Sequence, residues 1–117
     1  MPRTDLPAVG SADTLAAPAA RTSSGDNGGT GGWGPAKTIR AQLDVTAVSG
    51  TSPTLDVVIE DSLDGTNWNT VGTFTQRVAV GREVINISTP FADRVRARWT
   101  VGGTSPSFTF SVVSYSE

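Results

Sequence analysis

Gly50-Thr51-Ser52-Pro53-Thr54 opens the run Leu55-Asp56-Val57-Val58-Ile59-Glu60, and the phrase returns as Gly103-Thr104-Ser105-Pro106-Ser107 ahead of Phe108-Thr109-Phe110-Ser111-Val112. Each copy follows a stretch in which apolar and polar residues alternate. Each therefore reads as strand, Pro-containing turn, strand, a β-hairpin of the longer-loop kind. Two such units make the folded part all-β.

Working outward, Ile39, Ala41, Leu43, Val45 and Ala47 alternate with Arg40, Gln42, Asp44 and Thr46, giving one apolar and one polar face to a strand. Leu55, Val57 and Ile59 repeat the pattern, and Val58 interrupts its polar face, a sign of two-sided burial or a protein contact. After a turn at Asp64-Gly65 the chain resumes through Trp68, Val71 and Phe74, then Val78 and Val80, and then Val84, Ile85 and Ile87. Val95, Ala97, Trp99 and Val101 oppose Arg94, Arg96 and Arg98, and Phe108, Phe110 and Val112 complete the set. About seven short strands punctuated by Gly, Pro, Asn and Asp predict a small antiparallel β-sandwich, with a small barrel as the other closure of the same alternation.

The sequence divides at residue 36. Residues 1–36 are rich in Ala, Gly, Pro, Ser and Thr, and six glycines fall between Gly25 and Gly34. Ordering such a segment costs backbone entropy that its few apolar side chains do not repay, so a flexible or extended arm is expected ahead of a β domain over residues 37–117. Removing the arm should leave that domain folded. Trp33, between two glycines, reads as a plug for one end of the core or an anchor on a partner.

The chain has 117 residues, no cysteine and no histidine, which excludes disulfides, Cys/His zinc sites and His- or Cys-based nucleophile systems within one chain. Nine basic against eleven acidic residues, a net charge of -2, predict no general attraction to nucleic acid. Leu15-Ala16-Ala17-Pro18-Ala19-Ala20 is too short and interrupted for a secretory h-region, and no stretch is long enough for a membrane-spanning helix.

Two segments bear on function. In Asp61-Ser62-Leu63-Asp64-Gly65-Thr66-Asn67-Trp68, Asp64-Gly65 makes a turn and Trp68 returns an indole to the core; a cation site on Asp61, Asp64 and Asn67 lacks a calcium loop's ligand count. Arg94, Arg96 and Arg98 project from one face at intervals of about 6.6 Å. Asp44, Asp56 or Glu60 on a neighbouring strand would neutralise them; an acidic protein surface or a phosphate is the alternative partner. Glu60, Asp61 and Asp64 are close enough in sequence to raise carboxylate catalysis, but nothing marks a substrate cleft. No catalytic residue, metal site or cofactor is assigned.

The portion from Ala41 to Val113 resembles small virion structural proteins of tailed bacteriophages, of the capsid decoration or minor head type. Three pieces carry the resemblance: Leu43-Asp44-Val45-Thr46-Ala47-Val48-Ser49-Gly50, the turn from Asp61 to Trp68, and Phe91-Ala92-Asp93-Arg94-Val95-Arg96. It implies a non-enzymatic protein made in the host bacterial cytoplasm and seated on the outer capsid surface. There it would bind the major capsid protein, often as a homotrimer, and cement neighbouring subunits. Trp33, Thr38, Ile39 and Arg40 are the first candidate contacts, and Arg94, Arg96 and Arg98 the second. The competing readings are a tail or baseplate module that binds a carbohydrate or receptor through Trp33, Trp68, Trp99 and Tyr115, and a head-tail connector subunit.

Overall fold

The computed structural model describes residues 11–29, 38–88 and 91–116. Trp33 lies outside the described residues. The protein is all-β and antiparallel, with six strands among the described residues: β1 (Ser11–Arg21), β2 (Gly25–Asp26), β3 (Ile39–Ser62), β4 (Asn69–Thr73), β5 (Gly81–Ile87) and β6 (Arg94–Ser116).

The repeated phrases do not make hairpins. β3 has 24 residues and β6 has 23, and the two pair with each other from Ile39↔Ser116 to Ser62↔Arg94. A straight strand of that length would run about 80 Å at a rise of about 3.3 Å per residue. Instead both strands bend at the phrases, which face each other at Thr51↔Thr104. The two copies adopt the same conformation. Gly50 has φ 111° and Gly103 φ 112°, while Ser52 has φ 49° and Ser105 φ 47°. Their contacts are reciprocal too: a Cβ on Gly50 would lie 2.7 Å from the Ser105 carbonyl oxygen, and one on Gly103 would lie 2.8 Å from that of Ser52. A Gly-x-Ser-Pro phrase kinks a strand without reversing it when its neighbour carries the same kink, because the ladder then continues through the corner. Local pattern does not separate such a corner from a hairpin turn.

The corner makes two layers of one sheet. In the first, the leading half of β3 and the trailing half of β6 are flanked by β5 and β1. In the second, the trailing half of β3 and the leading half of β6 are flanked by β4 and β2. The layers close on one core of Ile39, Ala41, Leu43, Val45, Leu55, Val57, Ile59, Val95, Ala97, Trp99, Phe108, Phe110 and Val112. Trp99 and Phe110, on opposite sides of the bend in β6, meet edge to face at 5.6 Å between ring centroids. This is the sandwich arrangement, and two of its strands span both layers.

Three expectations need correction. The first is the arm: residues 11–29 are extended but belong to the sheet. Leu15 and Ala16 are core residues, and the Arg21 guanidinium packs on Trp99 and Phe110 at 4.7 and 4.3 Å. Arg21 also donates to the carbonyls of Ala17, Ala19 and Phe110, at 2.7, 3.0 and 2.7 Å. Removing residues 1–36 would therefore open the core. Second, Val78 and Val80 are exposed in the connection between β4 and β5, where Arg77 pairs with Leu55 through the backbone. Third, Trp68 stays outside the core, half-buried on the outer face of the second layer.

Candidate functional site

The outer face of the second layer carries the arginine stripe. Alternation along β6 turns Val95, Ala97 and Trp99 inward and Arg94, Arg96 and Arg98 outward. Glu60, opposite Arg96, settles which acid opposes them: its carboxylate accepts from Arg96 Nε at 2.8 Å and Arg98 Nε at 3.1 Å. Asp26 on β2 lies 3.5 Å from Arg96, and the Trp68 ring stacks on the Arg96 guanidinium at 4.3 Å. The other two candidate acids serve elsewhere, Asp44 facing Arg82 at 3.9 Å and Asp56 accepting from Gln76. The Arg96 side chain is left only 18% exposed, so it holds the face together and offers little to a partner.

Residues 25–29 complete that face. Asn27 extends the β2 ladder, its N–H donating to the Ala97 carbonyl while its Oδ1 accepts from the Ala97 N–H at 3.0 Å. Gly29 lies beneath the indole of Trp68, where a Cβ would come within 2.6 Å of the ring. Asp26, Asn27 and Gly29 were not singled out from sequence. They sit in a glycine-rich stretch whose composition reads as solvated chain, and only the ladder partner across the sheet gives them a role.

The turn after β3 is a rigid tip. Asp64 accepts from the backbone N–H of Asn67 and of Thr66, both at 2.8 Å, from Asn67 Nδ2 at 2.8 Å and from the Ser62 hydroxyl at 3.1 Å. These bonds, the Asn67 and Thr66 amides first, hold its carboxyl well below the usual carboxylate range. Asp61 Oδ2 accepts from the Ala92 N–H at 2.6 Å. Asp61 and Asp64 are thus engaged in shaping the loop, and Glu60 in bridging Arg96 and Arg98. At its apex Leu63 is 85% exposed, and Arg94 donates to the Leu63 carbonyl at 3.2 Å.

The outer face of the first layer is organised differently. Tyr115 on β6 pairs across the ladder with Arg40 on β3, and Arg40 with Asn86 on β5. One step along, Val113, Gln42 and Val84 form a parallel row. Thr38 and Arg40 are exposed on this face. Ile39 is not: it is 1% exposed, because the alternation that turns Arg40 out turns Ile39 into the core beside Ala41 and Leu43.

No protein-family model and no curated protein matches the chain. Solved structures do. The exported protein XepA of PBSX is similar over 92% of this chain and 37% of its own length, with a TM-score of 0.65 and 16% identity. A chitosan-binding module from a chitosanase/glucanase of Paenibacillus sp. IK-5 is 31% identical over 70% of this chain and 62% of that one, with a TM-score of 0.44. A CBM22-1-GH10 fragment of xylanase 10B from Clostridium thermocellum aligns with 75% of this chain and 17% of its own, at 13% identity and a TM-score of 0.46. The chain spans less than two thirds of each of these proteins. What it shares with XepA is the fold.

Proposed function

We propose that the chain is a non-enzymatic structural module of a tailed-phage particle, of the capsid decoration kind, which seats on the outer surface of the assembled major capsid lattice as a homotrimer and joins neighbouring subunits. The observation that carries this reading is the tip formed by Leu63 and Arg94. A large apolar side chain stands almost fully in solvent on a loop fixed by the Asp64 hydrogen bonds, beside a guanidinium that donates to the Leu63 backbone carbonyl. A preorganised tip of this composition suits a protein partner, since it loses little freedom on docking and combines apolar burial with a directional cation. The likeness of the fold to that of a phage exported protein is consistent with the reading. In a trimer three such tips would act together, so that weak individual contacts become firm attachment.

The test is co-sedimentation with assembled heads that lack the protein, followed by cryo-EM occupancy at each symmetry position. The wild-type chain should occupy threefold positions, and Leu63→Asp should lower occupancy at least about tenfold, the loss expected when an apolar anchor becomes a charge. Density confined to the portal or tail would overturn the reading, as would full occupancy by the Leu63→Asp variant.

A further inference from the structure

Among the recesses on the outer face of the first layer, two meet at one cross-strand pair. One, of about 270 Å³, is walled by Thr38, Arg40, Asn86, Ser88 and Tyr115. The other, of about 240 Å³, lies along Ala12, Gln42, Val84 and Val113 and shares Arg40 and Tyr115 with the first. Tyr115 is 45% exposed, whereas Trp99 is buried in the core and Trp68 is covered by Arg96 and Gly29. Among the described Trp and Tyr residues, Tyr115 is therefore the one whose ring is open to stacking.

The polar groups of these recesses are biased toward donation. Arg40 Nη1 donates to Asn86 Oδ1 at 3.2 Å, which occupies the amide oxygen of Asn86 and directs its Nδ2 donor away from Arg40. The remaining Arg40 N–H groups only donate, and the Gln42 amide and the Ser88 hydroxyl can donate as well as accept. No carboxylate is among the described residues lining either recess; Asp13 lines a third, which adjoins the second at Ala12 and Val113. Asp44, the next outward residue of β3 beyond Gln42, faces Arg82 instead. The surface thus presents an aromatic ring, a positive charge and a row of donors to a ligand that must bring an apolar flat face, many acceptors and negative charge.

We propose that this face binds an acidic polysaccharide, two adjoining pyranose rings occupying the two recesses. The C–H face of one ring lies on Tyr115, and a carboxylate or phosphate substituent pairs with Arg40, whose fork suits planar or tetrahedral oxyanions. The binding does not depend on how the module is seated, because the Leu63 tip and the Tyr115 face belong to different layers.

Titration of the isotope-labelled full chain with tetragalacturonate, monitored by NMR, tests the proposal, with cellotetraose as the neutral control. Shifts should cluster at Arg40, Gln42, Asn86 and Tyr115, and the acidic probe should bind more tightly than the neutral one, with affinity falling as salt rises. Tyr115→Ala should lower affinity about tenfold, the scale of one lost stacking contact. Arg40→Gln should abolish the preference for the acidic probe while leaving the spectrum of a folded protein. No shifts with either probe, shifts confined to the second layer, or wild-type affinity in Tyr115→Ala would overturn the site. Equal binding of the two probes would overturn its acidic specificity. Head occupancy, read separately by co-sedimentation, should be unchanged in Tyr115→Ala.

Discussion

The two outer faces of the sandwich are built from the same two strands, yet one is closed and the other open. On the second layer, Arg96 and Arg98 are knitted together by Glu60, Asp26 and Trp68, and residues 25–29 lie across them. On the first layer, Tyr115, Val113 and Val84 remain exposed around Arg40 and Gln42. The lesson is that a charge stripe and an aromatic pattern do not announce their use. The arginines that looked like a docking surface mostly hold the fold together, and the tyrosine that looked incidental is the accessible ring.

The strongest way to break the comparison is to remove β1, which edges the first layer alone. Deleting residues 1–21 removes Leu15 and Ala16 from the core and Arg21 from the faces of Trp99 and Phe110. Cooperative urea unfolding should disappear, and a cooperative transition near that of the full chain would show that β1 is dispensable. The corner comes next because both layers share it. Gly103→Ala forces a side chain into the φ 112° conformation and against the Ser52 carbonyl, at an expected cost of about 4 kcal/mol from strain and overpacking combined. Gly50→Ala should match it, and hydrogen exchange should rise in both layers for either variant.

Glu60→Gln sharpens the contrast between the faces. Taking the charge from a buried carboxylate that serves two guanidiniums should cost about 3 kcal/mol, seen as a lower urea midpoint with an unchanged slope. On the open face, Tyr115→Ala should change stability by no more than about 0.5 kcal/mol. Similar losses for the two variants would erase the distinction. The smallest effect is expected in acid. Asp64 has its folded-state pKa depressed, so its contribution is present above the ordinary carboxylate range and fades as pH falls through that range toward the folded value. Asp13, pushed up by burial, acts in the opposite sense and disfavours the fold once ionised. Asp64→Asn should flatten the acid limb of the stability curve, and Asp13→Asn should not.

Much of this architecture is legible locally. Period-two alternation identifies the inward residues of β3, β5 and β6, because burial on one face of a strand leaves that signature without reference to any partner. Glu60 was one of three candidate acids for the arginines, and cross-strand register chose it. What alternation does not carry is pairing. Ala16, Ala17, Pro18, Ala19 and Ala20 have weak β-propensity, and their strand exists because it lies against residues 108–116. The repeated phrase was visible, but whether two kinks end two hairpins or face one another depends on contacts some fifty residues apart along the chain.

The shared corner also governs when the molecule can form during its synthesis. Every described strand of either layer is joined, directly or through β3, to residues 94–116, so none of the described residues ahead of residue 60 has its ladder partner until later parts of the chain emerge from the ribosome. Such non-local pairing folds slowly, because the chain entropy of closing long loops is lost before any layer is assembled. Folding therefore waits for β6, and a chain stalled before residue 94 should be held by chaperones or cleared by proteases, with neither half of the sandwich formed.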